Sequence, residues 1–291
     1  MPMNSHDSVR VSIGQMGPAD LDFAALCTER EGWACETRAE FEGFLAHDPA
    51  GCLIAEFAGQ PIGIAIATSY GVHGFVGEII VVPEQRGRGL GRRLLEEAVA
   101  YLHGRGVANV YLDSVAAAAP LYVRAGFRRI CRSLRFTGHL QGAHHPSVRP
   151  MKLADLARVC EADRNAFGAD RSFFLIRRLT LYPDLCMVLE EHGRLAGYIL
   201  GRRGRDLVSA GPWFASREVD RPVVLLEALA LAAGEISIQV GVLERNEHAV
   251  QTIRSLDLEE RPNPPWRMVL GSAETLGASD RLYAIGSAAK G

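Results

Sequence analysis

"VVPEQRGRGLGRRLLEEA" occupies residues 81–98 and sets four arginines and three glycines between an apolar strand pattern and an apolar helix pattern. The preceding "FVGEIIVV" is rich in β-branched residues and stops at Pro83, as a strand does. The following residues, 89–105, place Leu90, Leu94, Leu95, Ala98 and Leu102 on one face of a helix. A strand that turns through glycine into a helix presents unpaired backbone N–H groups at the helix start, with the positive end of the helix dipole behind them. Gly87, Gly89 and Gly91 permit positive φ and let an anion approach the backbone. Arg86, Arg88, Arg92 and Arg93 can add charge-assisted bonds to phosphate oxygens. The turn reads as a pyrophosphate cradle. The competing reading is a solvated arginine turn whose glycines serve only a tight bend.

The spacing narrows the ligand. A triphosphate loop needs GxxxxGK[ST], and no Lys-Ser/Thr pair follows here. A dinucleotide fingerprint needs GxGxxG; Gly87 and Gly89 fit, but Arg92 stands at the third place.

Elsewhere the chain is unexceptional. Its 291 residues favour two domains over one core, and a net charge of −2 gives no electrostatic footprint for nucleic acid or an anionic membrane. The arginine turn is therefore a local device. Cys27, Cys35, Cys52, Cys131, Cys160 and Cys186 are scattered without a CxxC pair, which points to buried reduced thiols in a cytoplasmic protein and to no metal site. Residues 1–10 lack a basic start and an apolar run, so no signal peptide is expected. The apolar helix at residues 222–234 is too short to span a bilayer.

Strand patterns at residues 9–16, 52–70, 75–82, 109–115 and 128–138 alternate with helical ones, the pair within 52–70 joined by the turn signal Ala58-Gly59-Gln60. Thr37 and Glu40 have the spacing of a capping box at a helix start. "GHLQGAHHPSVRP" breaks the pattern and reads as a linker, with His144 and His145 solvated. After it the order restarts: "MKLADLARVCEADRNAF" resembles the first helix and "LCMVLEEHGRLAGYILGRR" the first hairpin. Where the first copy has "QRGRGLG", the second has "ASREVDR", without a glycine. The expected fold is α/β (α+β), one architecture used twice, with domains at 1–138 and 148–291 and a linker at 139–147.

"VVPEQRGRGLGRRLL" resembles the acyl-CoA signature of the GCN5-related N-acetyltransferases, R/Q-x-x-G-x-G/A, carried by Arg86, Gly89 and Gly91. "PLYVRAGF", residues 120–127, is similar to the superfamily's second signature, in which a tyrosine precedes Gly-Phe. The second half resembles a degenerate repeat. "PPWRMVLG", "LYAIGSAAKG" and "GPWFA", with "EGWACETRAEFEGFL" in the first half, are similar to a bacterial tandem subgroup whose second domain lacks the cofactor loop.

The resemblance implies two mixed, mostly antiparallel splayed sheets flanked by helices, and acetyl-CoA as cosubstrate. It implies that backbone groups of Ile79, Ile80 and Val81 pair with the pantetheine arm and that the amides of residues 87–92, Leu90 among them, hold the pyrophosphate. Tyr122 stands where the family's tyrosine protonates the leaving thiolate. Val115 replaces an asparagine often found seven residues earlier, so one contact to the donor is missing.

A phenol of pKa about 10 is a weak but adequate donor to a thiolate of about 8.5. Glu78 is the candidate base, since a carboxylate in an apolar strand is costly unless paired or useful. An ion pair or a solvated edge position is the alternative, because Glu78 does not fall where the family's best-known glutamate falls. Asp113 is a second, weaker option whose plainer reading is a turn residue. Trp33 lies in the loop between the first two helices, where the superfamily builds its acceptor pocket, and ordinary core packing is the competing role. Trp213, Trp266 and Arg267 read as core and domain interface.

The expected activity is acetyl transfer from acetyl-CoA to a small-molecule or peptide amine by a monomer or homodimer. The alternative is an acyl-CoA sensor without turnover. The linear sequence shows neither an acid cluster nor a basic groove that would name the acceptor.

Overall fold

The computed structural model of the chain describes residues 11–291; the reading of residues 1–10 as free of a signal peptide lies outside them. The first half runs β1 (Ser12–Gln15), α1 (Leu21–Arg30), α2 (Arg38–His47), β2 (Cys52–Phe57), β3 (Gln60–Tyr70), β4 (His73–Val81), α3 (Leu90–Gly104), β5 (Asn109–Ser114), α4 (Ala119–Arg124) and β6 (Arg128–Gly138). Ala58 and Gly59 take φ of 54° and 71°, the twist that a tight hairpin between β2 and β3 requires. The predicted apolar face of α3 is buried in full: Leu90, Leu94, Leu95, Ala98 and Leu102 are at most 5% exposed.

Residues 139–147 carry no helix or strand. The order then repeats as β7 (Val148–Pro150), α5 (Leu156–Phe167), α6 (Ser172–Leu181), β8 (Cys186–Glu191), β9 (Arg194–Arg203), β10 (Leu207–Ala215), α7 (Val224–Ala233), β11 (Ser237–Leu243), α8 (Glu247–Arg254), β12 (Glu259–Glu260), β13 (Trp266–Leu270) and β14 (Leu282–Ala284). Among the described residues no helix is long and apolar enough to cross a membrane.

The halves exchange strands. β13 inserts antiparallel between β5 and β6, completing the first sheet, while residues 133–138 of β6 leave β13 and pair antiparallel with β11 in the second sheet. A cut after Gly138 therefore divides the sequence but not the hydrogen-bonded sheets. The core is shared as well. Phe44 meets Phe174 edge-on at 6.0 Å and Tyr70 meets Phe167 at 5.6 Å, all four buried in one cluster that spans both halves.

Three local expectations are corrected. Thr37 stands at the N-cap of α2, but its side chain caps nothing and Glu40 points inward to buried cations, whose attraction exceeds that of one capping bond. Gly91 is helical, so positive φ is confined to Gly87 (78°) and Gly89 (80°) in the turn. Asp113 is no turn residue: it lies within β5 with its side chain fully buried.

Candidate active site

Two features of β4 shape the site. It pairs in parallel with β5 only at His73–Phe75 against Asn109–Tyr111, and beyond that point the strands hydrogen-bond no further. Its register against β3 also shifts between Ile64 and Ile66, so that Glu78 and Ile79 together face Ala65. This bulge holds Glu78 at φ 52°, a conformation that a glutamate rarely adopts and that costs about 1–3 kcal/mol. Residues 79–81 form the stretch of β4 that β5 no longer flanks, and within it Ile80 pairs with Ile64 of β3, so its backbone is not free to take the pantetheine as the resemblance implies. The Val82 amide donates to Ile62 O at 2.9 Å, so alternation turns the Val81 backbone toward the open edge. Its carbonyl accepts from Arg86 Nε at 2.8 Å.

At the far end of β4 the glycine turn is unsatisfied. No carbonyl or side chain among the described residues accepts from the amides of residues 87–92, and the first partnered amide is that of Arg93, to Gly89 O at 3.2 Å. These free N–H groups at the start of a 15-residue helix fit a pyrophosphate. The arginines divide their work differently from the expectation. Arg86 ties the turn to Glu31 and Arg92 reaches Glu96 at 2.7 Å, leaving Arg88 exposed and unpaired among the described residues.

At the bulge end lies a cavity of about 400 Å³ between the halves, bounded by Trp33, Glu36, Glu78, Val115, Arg202 and residues 287–289 among others. Trp33, half-buried on the α1–α2 loop, reaches this wall, and its carbonyl accepts from Arg205 Nη1 at 3.1 Å. Glu78 is 4% exposed and its Oε2 has no hydrogen-bond partner. Burial pushes its pKa well above the ordinary carboxylate range, Glu36 adds to the shift, and Lys290 and Arg202 offset only part of it.

Glu40, on α2, behaves in the opposite way. Burial would raise its pKa, but contacts with Lys290 and Arg202, and Arg178 at 3.9 Å, hold it low. Asp113, too, is held below its usual range: burial is overcome by Arg267 and Arg135 together with the Ser133 hydroxyl at 2.8 Å. An ionised carboxylate tied to two guanidiniums is a poor base, so Asp113 is a structural anchor.

Tyr122 lies in α4, 7% exposed, edge-on to Phe127 at 6.0 Å. Burial pushes its pKa up to about 12, which makes it a weaker acid than a free phenol. Trp213 is wholly buried, Arg267 is 1% exposed, and Trp266 lies under the Arg132 guanidinium at 3.6 Å. The sequence reading missed Arg202 and Lys290. The signal was present as charges beside the apolar runs "YILGRR" and "SAAKG", but their partners lie more than a hundred residues away.

The second half carries the same gap, filled. β10 and β11 pair in parallel only over Leu207–Ala210 against Ser237–Val240, and β14 then enters between them. Trp213 faces Ala284, Phe214 faces Leu282, and the Ile285 amide donates to Gly241 O at 2.8 Å. In the matching turn Val219, Val224 and Leu225 donate to backbone carbonyls of the same segment, Ser216 donates to Ala196 O on β9 and Pro222 has no N–H, while the amides of Arg217, Asp220, Arg221 and Val223 have no partner among the described residues.

A profile of the Acetyltransferase (GNAT) family matches residues 20–127, and one of an Acetyltransferase (GNAT) domain matches residues 159–284. The chain belongs to the GNAT superfamily. It carries two GNAT-like domains in tandem, and membership implies acetyl-CoA as the cosubstrate. The mycothiol acetyltransferase of Thermobispora bispora is 38% identical over 111 residues, which are 35% of this chain and 38% of that one. The match thus spans little more than a third of that relative's length. A putative acetyltransferase from Pyrococcus horikoshii superposes with a TM-score of 0.80 at 22% identity, covering 100% of both chains. A tandem GNAT protein from the clavulanic acid biosynthesis pathway gives 0.61 at 16%, covering 91% of this chain and 100% of its own. These two likenesses are of fold. GNAT transferase chemistry on an acyl-CoA donor follows from the family.

Proposed function

We propose that the first half transfers an acetyl group from acetyl-CoA to an amine bound in the cavity between the halves, by direct attack with both substrates present. The observation that carries this reading is the open gap between β4 and β5, with free amides at one end and the unpartnered Glu78 carboxylate at the other. The donor supplies an acetyl group on a thioester sulfur. The open edge at Ile79 and Val81 takes the pantetheine as an added strand, and residues 87–92 take the pyrophosphate.

Glu78, ionised, accepts the proton that the attacking amine sheds as the C–N bond forms. Its raised pKa suits that role, since a base works best when its pKa approaches the working pH. Tyr122 donates its hydroxyl proton to the sulfur as the C–S bond breaks, and the proton on Glu78 restores it through solvent. With a pKa up to about 12, Tyr122 acts mainly by hydrogen-bonding the departing sulfur. The Val81 amide, turned toward the same edge, stabilises the carbonyl oxygen as charge develops on it. Most of the acceleration comes from holding amine and thioester together. Trp33 forms part of the acceptor wall.

The test is thiol release from acetyl-CoA across a broad amine panel by the full chain and by Tyr122→Phe. Amine-dependent release that falls at least tenfold in Tyr122→Phe supports the reading. Stoichiometric acetyl-CoA binding with no release on any amine overturns it in favour of an acyl-CoA sensor.

A further inference from the structure

The walls of the cavity carry more positive than negative charge. Glu36, Glu78 and Asp113 line it together with Arg135, Arg202 and Arg261. In the layer directly behind, Glu40 is joined by Lys290 and Arg178, and Asp113 by Arg267. Four carboxylates thus face six cations, and every one of these groups except Arg261 is largely buried. The surplus is two positive charges with Glu78 ionised, and it grows when Glu78 takes a proton. Solvent screens little of it at such depth.

A simple alkylammonium is repelled by such a cavity. An amine that brings its own anion is not, and its nitrogen loses its proton more readily beside the surplus charge. Two of the guanidiniums that line the cavity carry unpartnered N–H groups. Arg261 makes no side-chain hydrogen bond or ion pair among the described residues, while its backbone amide is fixed to Arg135 O at 2.8 Å, which holds it at the cavity rim. Arg202 is 3% exposed; its two terminal nitrogens serve Glu36 and Glu40, and its Nε has no partner. One guanidinium edge and one further N–H match the two oxygens of a carboxylate.

We infer that the acceptor is a primary amine that also bears a carboxylate, an amino acid or a small peptide, with Arg261 and Arg202 on the carboxylate side and Glu78 on the amine side. This inference rests on the proposed acetyl transfer. It makes Arg261 a specificity-determining residue that lies 183 positions from Glu78 in sequence.

Matched amine pairs test it on the full chain, read as thiol release from acetyl-CoA: tyrosine against tyramine, lysine against cadaverine, ornithine against putrescine, and β-alanine against O-phosphoethanolamine. The expected result is a kcat/KM favouring the carboxylate member by about tenfold or more, with that ratio falling about tenfold in Arg261→Gln. A preference for the decarboxylated amines, a preference for O-phosphoethanolamine, a ratio unchanged in Arg261→Gln, or no turnover on any pair by a chain that binds acetyl-CoA overturns the carboxylate assignment. Failure to bind acetyl-CoA at all overturns instead the acetyl-transfer reading beneath it.

Discussion

The two halves solve one geometric problem in opposite ways. Each splits its sheet after a short parallel pairing, β4 from β5 and β10 from β11, and each therefore exposes backbone N–H and C=O groups that need partners. In the second half the chain supplies them itself across the gap, which β14 fills, and the turn before α7 partners part of its amides on backbone carbonyls. In the first half the gap and the turn stay open. Loss of glycine in the second turn and occupation of the second gap thus go together. The first half leaves open the slot that the second half fills with its own strand.

The comparison can be attacked first at the chemical end of the open gap. Glu78→Gln should lower kcat by about 10²–10⁴-fold while leaving acetyl-CoA affinity near that of the parent. It should also remove the acid limb of kcat/KM, which lies above the ordinary carboxylate range because the Glu78 pKa is raised. The stability effect has the reverse sign. A carboxyl whose folded pKa is raised favours the fold below its unfolded pKa, and that contribution is lost as pH rises through the folded value. Glu78→Gln should therefore gain stability over the parent in urea melts at pH 8 and not at pH 4.

The filled gap is tested by its filler. Tyr283 is 6% exposed and packs on Trp213 at 5.0 Å and on His248 at 5.6 Å. Tyr283→Ala should cost about 3–5 kcal/mol in urea unfolding. It should leave the acetyl-CoA affinity of the surviving folded protein unchanged.

A smaller effect is expected at the segment that walls the open site. Ala289 lies 2.6 Å from where a Cβ on Gly77 would stand, so residues 286–291 press directly on β4, pinned by Lys290 to Glu40. Lys290→Met should cost about 3 kcal/mol at pH 7, less than an isolated buried pair because Glu40 keeps Arg202 at 2.9 Å. Glu40 has a lowered pKa, so its stabilisation is present above the unfolded carboxyl pKa and lost as pH falls toward the folded value. The gap between parent and variant should narrow on acidification, which paired melts at pH 7 and pH 4 would detect.

The smallest effect is none. Arg217→Gly, Val219→Gly and Arg221→Gly together restore glycines to the second turn, yet β14 still fills the slot. Calorimetric titration of this variant should find no second acetyl-CoA site.

Local signals made much of this legible. The strand, glycine turn and leucine face at residues 81–98 carry their own hydrogen-bond and packing logic, and the repeat of the same order carries the tandem fold. What stayed hidden depends on distant pairings. β13 and β14 are short and read as bare endings because each becomes a strand only beside partners from elsewhere, such as β5 and β6 for β13. Gly77 gave no sign that Ala289 would rest on it. The Thr37-Glu40 spacing misled because a capping box is a local bond, and Glu40 had stronger partners at Arg202 and Lys290. The positive cavity was invisible for the same reason, its charges being spread over segments from Glu36 to Lys290.

The central claim is one open slot per chain, gated by the glycine turn. Gly89 takes φ 80° at the start of α3; a Cβ there meets nothing within 4 Å, but the left-handed backbone strains any side chain, and a glutamate also sets a carboxylate among the free amides. Calorimetric titration of acetyl-CoA into the parent and into Gly89→Glu should give one site per chain in the first and no binding in the second. Two sites in the parent, or undiminished binding in Gly89→Glu, would contradict the account.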